Sequence, residues 1–513
     1  MEIEAVPAWG TIPRMLRAQA SAHPDTEAVV ADGTRLTLSG LARDANAVAR
    51  ALIALGVSPG DRVAVWAPNT PRWVVTAFGI WDAGAIVAPL STRFKGIEAR
   101  AMLATLDAEV LVVADRALLA LLGDARPPHV VVMDGSWTEF IERGAEVSPE
   151  AAEERALAVG PDDLGEIMAT SGTTGTPKGV MLHHAQLLRG YWDWAEIVTL
   201  GPGDRYPVTA PFSHGFGINA GLLACVLRRA TMLPIAEFRP DALLDLIERE
   251  RVSVLAGAPP LFFTILDGLA GRDVSSLRVL ICGAAAVPPD LVRRLVERVG
   301  LERMINAYGL MEGTVVSMTR PGDPVEVIAG STGRPVPGVA VRIAGDDGKD
   351  VPPGERGEIL VGGHGVMRGY WRDPDRTAET VDADGWLHTG DIGTLDDAGN
   401  LTIVDRKKEM FIVSGFNAYP AEIEALLLRC PDVAQAAVIG VPDERRGEVG
   451  WAYVVPPPGS SPDPDAIVAW ARANMSSYKV PRRVILVDAL PLNPNGKIDK
   501  PALHSRARGA GAS

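Results

Sequence analysis

The sequence predicts an α/β protein with a large N-terminal domain of layered α/β units, a β-rich subdomain and a small α+β C-terminal domain. Three observations carry this. From about residue 25 to 320, short β-branched runs alternate with amphipathic stretches, the pattern of largely parallel strands covered by helices. After about residue 325, Gly, Pro and Asp become dense, as in Gly345-Asp346-Asp347-Gly348 and Pro352-Pro353-Gly354, which reads as antiparallel β-structure. From near Arg406 a last stretch of about 105 residues carries its own strands and helices, enough for an independent unit.

Taken in order, the strand candidates of the first region are Arg62–Trp66, Val110–Val113, Val130–Met133, Val252–Ala256 and Val279–Cys282. Each is a short, mostly apolar run, as buried parallel strands require. The stretches Leu41–Leu55, Asp241–Arg251 and Pro289–Val299 have helical periodicity, and Pro240 and Pro289 stand where helices favour proline. The β-rich subdomain, about 325–404, offers Val339–Ile343 and Glu358–Val361. In the last unit a helix is expected at Pro420–Cys430, strands at Ala436–Ile439 and Trp451–Val455, a helix at Pro464–Asn474 and a strand at Arg483–Val487. The tail from Ser505 is Ala, Gly and Arg, and is expected to fray. The predicted division is 1–407 and 408–513.

The chain has 513 residues, of which 47% are hydrophobic and 22% charged, as in a globular enzyme of about three or four domain-sized units. A net charge of −14 argues against a nucleic-acid-binding surface. Cys225, Cys282 and Cys430 are far apart and lack metal-site spacing, so they read as buried thiols in a reducing cytoplasm. The acidic start Met1-Glu2-Ile3-Glu4 does not resemble a signal peptide. The most apolar segment, Gly221–Leu227, is too short to span a membrane.

The strongest local signal is Thr170-Ser171-Gly172-Thr173-Thr174-Gly175-Thr176-Pro177-Lys178-Gly179, which follows the mostly apolar strand Gly165–Ala169. Glycines let backbone N–H groups converge on phosphate oxygens, hydroxyls donate to them, and Lys178 adds positive charge. A Walker loop is excluded, because Lys178 is followed by Gly179 rather than by Ser or Thr opening a helix. A flexible linker does not need a lone lysine between proline and glycine.

Further motifs follow in order: Pro211-Phe212-Ser213-His214-Gly215, Asn306 to Gly313 with Tyr308-Gly309-Leu310-Met311-Glu312, Ser331-Thr332-Gly333-Arg334-Pro335, Gly385 to Asp391, Asp405-Arg406-Lys407-Lys408-Glu409, and Pro494-Asn495-Gly496-Lys497-Ile498. In identity, order and spacing this set resembles the adenylate-forming superfamily of acyl-CoA synthetases, adenylation domains and beetle luciferases, over nearly the whole chain. The resemblance implies a cytoplasmic acid–thiol ligase using ATP, Mg²⁺ and coenzyme A. A carboxylate attacks the α-phosphate of ATP to give acyl-AMP and pyrophosphate, and a thiol then displaces AMP. It implies that Thr170, Ser171, Gly172, Thr173, Thr174, Gly175 and Lys178 hold the phosphates, that Glu312 ligates the metal and that Tyr308 stacks on adenine. Gly309 and Met311 would lie at the nucleotide, and Asp391 and Arg406 would bind the ribose hydroxyls. Lys497 would reach the α-phosphate and the substrate carboxylate. Lys408 would be the hinge of a mobile C-terminal domain that presents Lys497 for one step and Ser414, Gly415 and Phe416 for the other. Arg445, Arg446 and Lys479 would meet the phosphates of CoA. His214 would stand between acyl pocket and thiol tunnel, with Gly283, Ala284, Ala285 and Gly309 lining the pocket. Core packing accounts for His214, and tight strand packing for the small residues, equally well.

The sequence departs from the family at Met311, where a threonine is usual. A thioether donates no hydrogen bond and suits Mg²⁺ poorly. By analogy with a lost oxyanion donor this costs adenylation ~10²–10³-fold, and thioester formation less. A separate adenylating synthetase would then supply acyl-AMP. The alternatives are a conventional two-step ligase for a fatty or aromatic acid, whose backbone compensates for Met311, and a non-catalytic acyl-AMP or nucleotide binder. Lys497, Lys408 and Gly415 argue against the binder. Gly215-Phe216-Gly217-Ile218-Asn219 holds no acid to bind an amine, which disfavours amino acids. A general likeness to bacterial ligases for steroid- and terpenoid-derived acids implies a bulky polycyclic substrate.

Overall fold

The computed structural model describes residues 5–510 apart from 32, 95, 171–177, 258, 284–286, 288, 302, 407–410, 414–415, 444–445, 476 and 495. The chain forms two compact units, one of residues 1–341 with 361–387, the other of 342–360 with 388–513.

In the first unit the apolar runs become the centres of sheets. A seven-stranded sheet runs in the order Gly369–Tyr370, Lys178–His183, Leu164–Thr170, Ile86–Pro89, Arg62–Trp66, Val110–Val113, His129–Val132. Its last five strands pair parallel, and the first two add on antiparallel. Arg62–Trp66 and Val110–Val113 are buried at every position, as strands covered on both faces must be. Ala64, Trp66, Ile86, Leu111 and Val113 pack on Met102 and Leu106 of the helix Gly96–Leu106. A second, five-stranded sheet is Val254–Gly257, Val279–Gly283, Arg303–Leu310, Thr314–Met318, Arg334–Pro335. Its first three strands are parallel, and the hairpin Arg303–Met318 turns the sheet antiparallel. The helices Pro240–Glu250 and Pro289–Val299 each open on the expected proline and bury Leu243, Ile247, Leu291 and Leu295 in the core beneath these strands. A four-stranded sheet of Thr34–Thr37, Glu27–Ala31, Thr231–Pro234 and Arg205–Val208 completes the unit's named sheets.

The expected β-rich region is a four-stranded sheet ordered Val339–Ala344, Gly357–Gly363, Leu387–Leu395, Leu401–Arg406, its last pair antiparallel. Beyond it a five-stranded sheet is built round the long antiparallel pair Gln435–Asp443 and Gly447–Val455, with Arg483–Leu486 parallel to the latter. Alternation along these strands gives the sheet two apolar faces. Ala436, Val438, Ala452 and Val454 meet Ile423 and Leu427 of the helix Pro420–Leu427 and Ile467 and Ala471 of Pro464–Asn474. Ala437, Ile439 and Tyr453 meet Leu503 and Ala507. These two belong to a helix spanning Lys500–Ala510, so the tail does not fray from Ser505. Two apolar residues at i, i+4 give it one buried stripe, and the Tyr453 hydroxyl donates to Leu503 O at 3.2 Å.

All three cysteines are buried and free. Among the described residues no helix is long and apolar enough to cross a membrane.

Candidate active site

The glycine-rich segment joins two antiparallel strands, with Thr170 paired to Lys178 across the ladder. Lys178 itself opens an antiparallel strand, Lys178–His183. Ser171, Gly172, Thr173, Thr174 and Gly175 lie outside the described residues, as does the side chain of Thr170. At the hairpin's exit, Lys178 Nζ stands 4.4 Å from the centroid of the Tyr370 ring. A cavity of about 180 Å³ beside it is lined by Lys178, Gly179, Trp371, Arg372, Asp373 and Arg376 among others.

The second motif is also a hairpin. Strands Arg303–Leu310 and Thr314–Met318 are joined by the turn Met311-Glu312-Gly313, and Tyr308 is half-buried opposite Ser317. The register slips between Tyr308 and Gly309. At that bulge a Cβ on residue 309 would run into Thr314 O, so only glycine fits. The turn holds Glu312 half-buried, away from any helix terminus, and the Tyr370 hydroxyl donates to its Oε1 at 2.9 Å. Tyr370 thus touches both Lys178 and Glu312. Its phenol is pushed well up by burial and by the Glu312 carboxylate. Tyr370 escaped the sequence reading. Its only signal was an aromatic pair after glycine, Gly369-Tyr370-Trp371.

Met311 faces the third motif. A Cβ built on Gly215 would lie 2.9 Å from Met311 Sδ, so the thioether occupies the space a side chain at 215 would need. His214 caps the short helix Gly215–Gly217, its Nδ1 accepting from Phe216 N at 3.2 Å, and is half-buried. As an acceptor, that nitrogen is unprotonated. A π-helical turn, Ile218–Leu223, follows and carries the fully buried Asn219 inward. Asn219 Nδ2 donates at 3.0 Å to Oε2 of Glu166, a buried carboxylate on strand Leu164–Thr170. The segment 215–219 itself lacks an acid, yet the fold brings one against it. Burial pushes the Glu166 carboxyl up to about 8, only partly offset by Asn219. It is therefore neutral near pH 7 and offers no fixed negative charge to an ammonium group.

Gly283 pairs with Ala307, and a Cβ there would lie 2.9 Å from Ala307 O, so strand packing alone requires the glycine. Ala284 and Ala285 lie outside the described residues.

In the second unit, Asp391 and Arg406 are direct cross-strand partners on Leu387–Leu395 and Leu401–Arg406. Asp391 is buried, and its N–H donates to Thr389 Oγ1 at 3.1 Å. Lys497 is exposed on a tight turn in which its N–H donates to Asn493 Oδ1 at 3.0 Å and its carbonyl accepts from Asn493 N at 2.8 Å. Val413 and Phe416 are cross-strand partners on the antiparallel strands Phe411–Val413 and Phe416–Ala418. Arg446 N donates to Asp443 Oδ1 at 3.0 Å, and Lys479 Nζ stands 5.4 Å from the Tyr478 ring centroid. Lys408, Ser414, Gly415 and Arg445 lie outside the described residues.

The model of AMP-binding enzymes matches residues 16–371, and that of the AMP-binding enzyme C-terminal domain matches 422–497. The chain belongs to this adenylate-forming family. It is 44% identical to a 3-[(3aS,4S,7aS)-7a-methyl-1,5-dioxo-octahydro-1H-inden-4-yl]propanoyl:CoA ligase of Mycobacterium tuberculosis, over 96% of this chain and 98% of that protein. It is 39% identical to a feruloyl-CoA synthase of an Amycolatopsis species, over 95% and 97%. Among solved structures, an anthranilate CoA ligase in complex with anthranoyl-AMP superposes with a TM-score of 0.90 at 27% identity, covering 100% of both chains. The protein is thus an acid–thiol ligase of the acyl-CoA synthetase class, working with ATP and CoA.

Proposed function

We propose that the enzyme joins a bulky, polycyclic carboxylic acid to CoA through an acyl-AMP intermediate. The 44% identity to a ligase for a fused-ring propanoate supports the substrate class. A carboxylate oxygen attacks the α-phosphorus, the bond to the β-phosphate oxygen breaks, and pyrophosphate leaves. The thiol sulfur then adds to the acyl carbon, loses its proton, and expels AMP.

The observation that carries the adenylation site is the Lys178–Tyr370–Glu312 cluster. Lys178 would neutralise phosphate charge. Glu312 fits Mg²⁺, since a carboxylate is a hard oxygen donor and only its Oε1 is engaged by Tyr370. The metal, when bound, would supply further charge screening around the phosphates. Tyr308 would stack on adenine, and Asp391 with Arg406 would hold the ribose. Lys497 would serve the first step. His214 is assigned beside the acyl carbonyl, with Gly283, Ala284 and Ala285 in the pocket. Lys408 is the proposed hinge between 1–407 and 408–513. Ser414, Gly415, Phe416, Arg445, Arg446 and Lys479 are assigned to CoA in a cytoplasmic enzyme.

We further propose that Met311 weakens adenylation, so that preformed acyl-AMP, from a separate synthetase, is the better substrate. Its sulfur lies against Gly215 and cannot donate. The test is a product assay with CoA and a panel of acids, run with ATP and separately with synthetic acyl-AMPs. Met311→Thr should raise pyrophosphate release ~10-fold or more while changing thioesterification far less. Wild-type release at about 1–10³ per second would refute the weakened step and leave a conventional two-step ligase.

A further inference from the structure

Three elements meet at Tyr370. Its strand pairs with Lys178–His183, placing Tyr370 opposite Val180, two residues from Lys178. Its N–H donates to Thr377 Oγ1 at 2.9 Å, and only 4% of the residue is exposed. It is therefore fixed at backbone and ring before any ligand arrives. From that anchor the hydroxyl donates to Glu312 Oε1 at 2.9 Å, and the ring face meets Lys178 Nζ at 4.4 Å from its centroid.

We propose that Tyr370 is a positioning residue for the adenylation step, holding the phosphate-loop lysine and the Glu312 carboxylate in one fixed arrangement. The inference rests on the reading above that these two groups serve the triphosphate and its cation. An ammonium and a carboxylate placed near each other tend to pair, which would neutralise both before the nucleotide arrived. A ring face attracts the ammonium without cancelling its charge. The O–H···O⁻ bond orients the carboxylate and occupies one of its oxygens. Both groups are thus oriented by one fixed ring and lose little freedom when a ligand binds.

Tyr370→Phe removes the hydroxyl and keeps the ring. It should raise the Mg²⁺ concentration that half-saturates ATP binding about fivefold, read by calorimetry and by ATP-induced thermal stabilisation. These readouts stand whatever the wild-type adenylation rate. In pyrophosphate release the same shift should appear, and raised Mg²⁺ should restore the rate. The melting temperature without nucleotide, and thioesterification of supplied acyl-AMP, should stay within twofold or a degree of wild type. A Mg²⁺ dependence for Tyr370→Phe equal to wild type, while Glu312→Gln shifts it strongly, would overturn the role of Tyr370 alone. A silent Glu312→Gln would instead remove the assignment of Glu312, and the inference with it. Equal damage by Tyr370→Phe to nucleotide-free stability and to both half-reactions would show a merely structural tyrosine.

Discussion

Glu166→Gln should change how stability depends on pH. Glu166 is fully buried, its Oε2 accepts only from Asn219, and its Oε1 has no partner among the described residues. Burial pushes its carboxyl from 4.5 up to about 8. Between those values the native state keeps the proton and the unfolded chain has lost it, so stability falls as pH rises. The stabilisation is fully present below about 4.5 and is gone above about 8. At 1.36 kcal/mol per pH unit, less near pH 8 where the native carboxyl is itself half-titrated, ~2 kcal/mol of this loss falls between pH 6 and 8. Glutamine is neutral throughout and retains an acceptor for Asn219 Nδ2. With about 2.1 cal/mol/K per residue over a unit of roughly 370 residues, the wild type should lose ~3 °C of melting temperature over that interval relative to the variant. The assay is thermal unfolding of both proteins at pH 6 and 8. Taking the difference between them cancels other groups, such as Asp82, which burial pushes up to about 6 against the pull of Arg17. A melting difference independent of pH would refute the buried neutral carboxyl.

Leu503→Ala should destabilise the second unit by about 2–5 kcal/mol, since Leu503 is fully buried against Ala437, Ile439 and Tyr453; urea unfolding followed by far-ultraviolet circular dichroism checks it. Lys408→Pro, which fixes φ and removes an N–H donor, should depress one half-reaction more than the other; equal loss of both with the fold intact would count against the hinge.

The first unit was legible where one physical requirement dominates a segment. Arg62–Trp66 and Pro289–Val299 are found at the bounds read from the sequence, because one is buried at every position and the other puts Leu291, Val292, Leu295 and Val299 on one face. Lys500–Ala510 was missed for the opposite reason. Its Ala, Gly and Arg suggest a loose tail, and its two core residues count only once the sheet face holding Ala437 and Tyr453 exists. Composition reports local preference, whereas this helix is fixed by a surface made elsewhere in the chain.

The same distinction runs through the candidate site. Motifs named Lys178, Glu312, Asp391 and Arg406, and antiparallel register alone sets the last two opposite each other. What no motif carried was the group between motifs. Glu166 looked like one acid in an apolar strand, and Asn219 like a neutral end to a glycine-rich segment, yet the π-helical turn sets them 3.0 Å apart. Tyr370 belongs neither to the glycine-rich motif nor to the Tyr308–Glu312 motif and touches a residue of each. Such residues act through distance, and distance between separate strands is not written at either position. The chemistry of a site is therefore visible as residue types along the chain. The positioning of that chemistry depends on residues whose only distinguishing mark in the sequence is being polar or aromatic where the strand is otherwise buried.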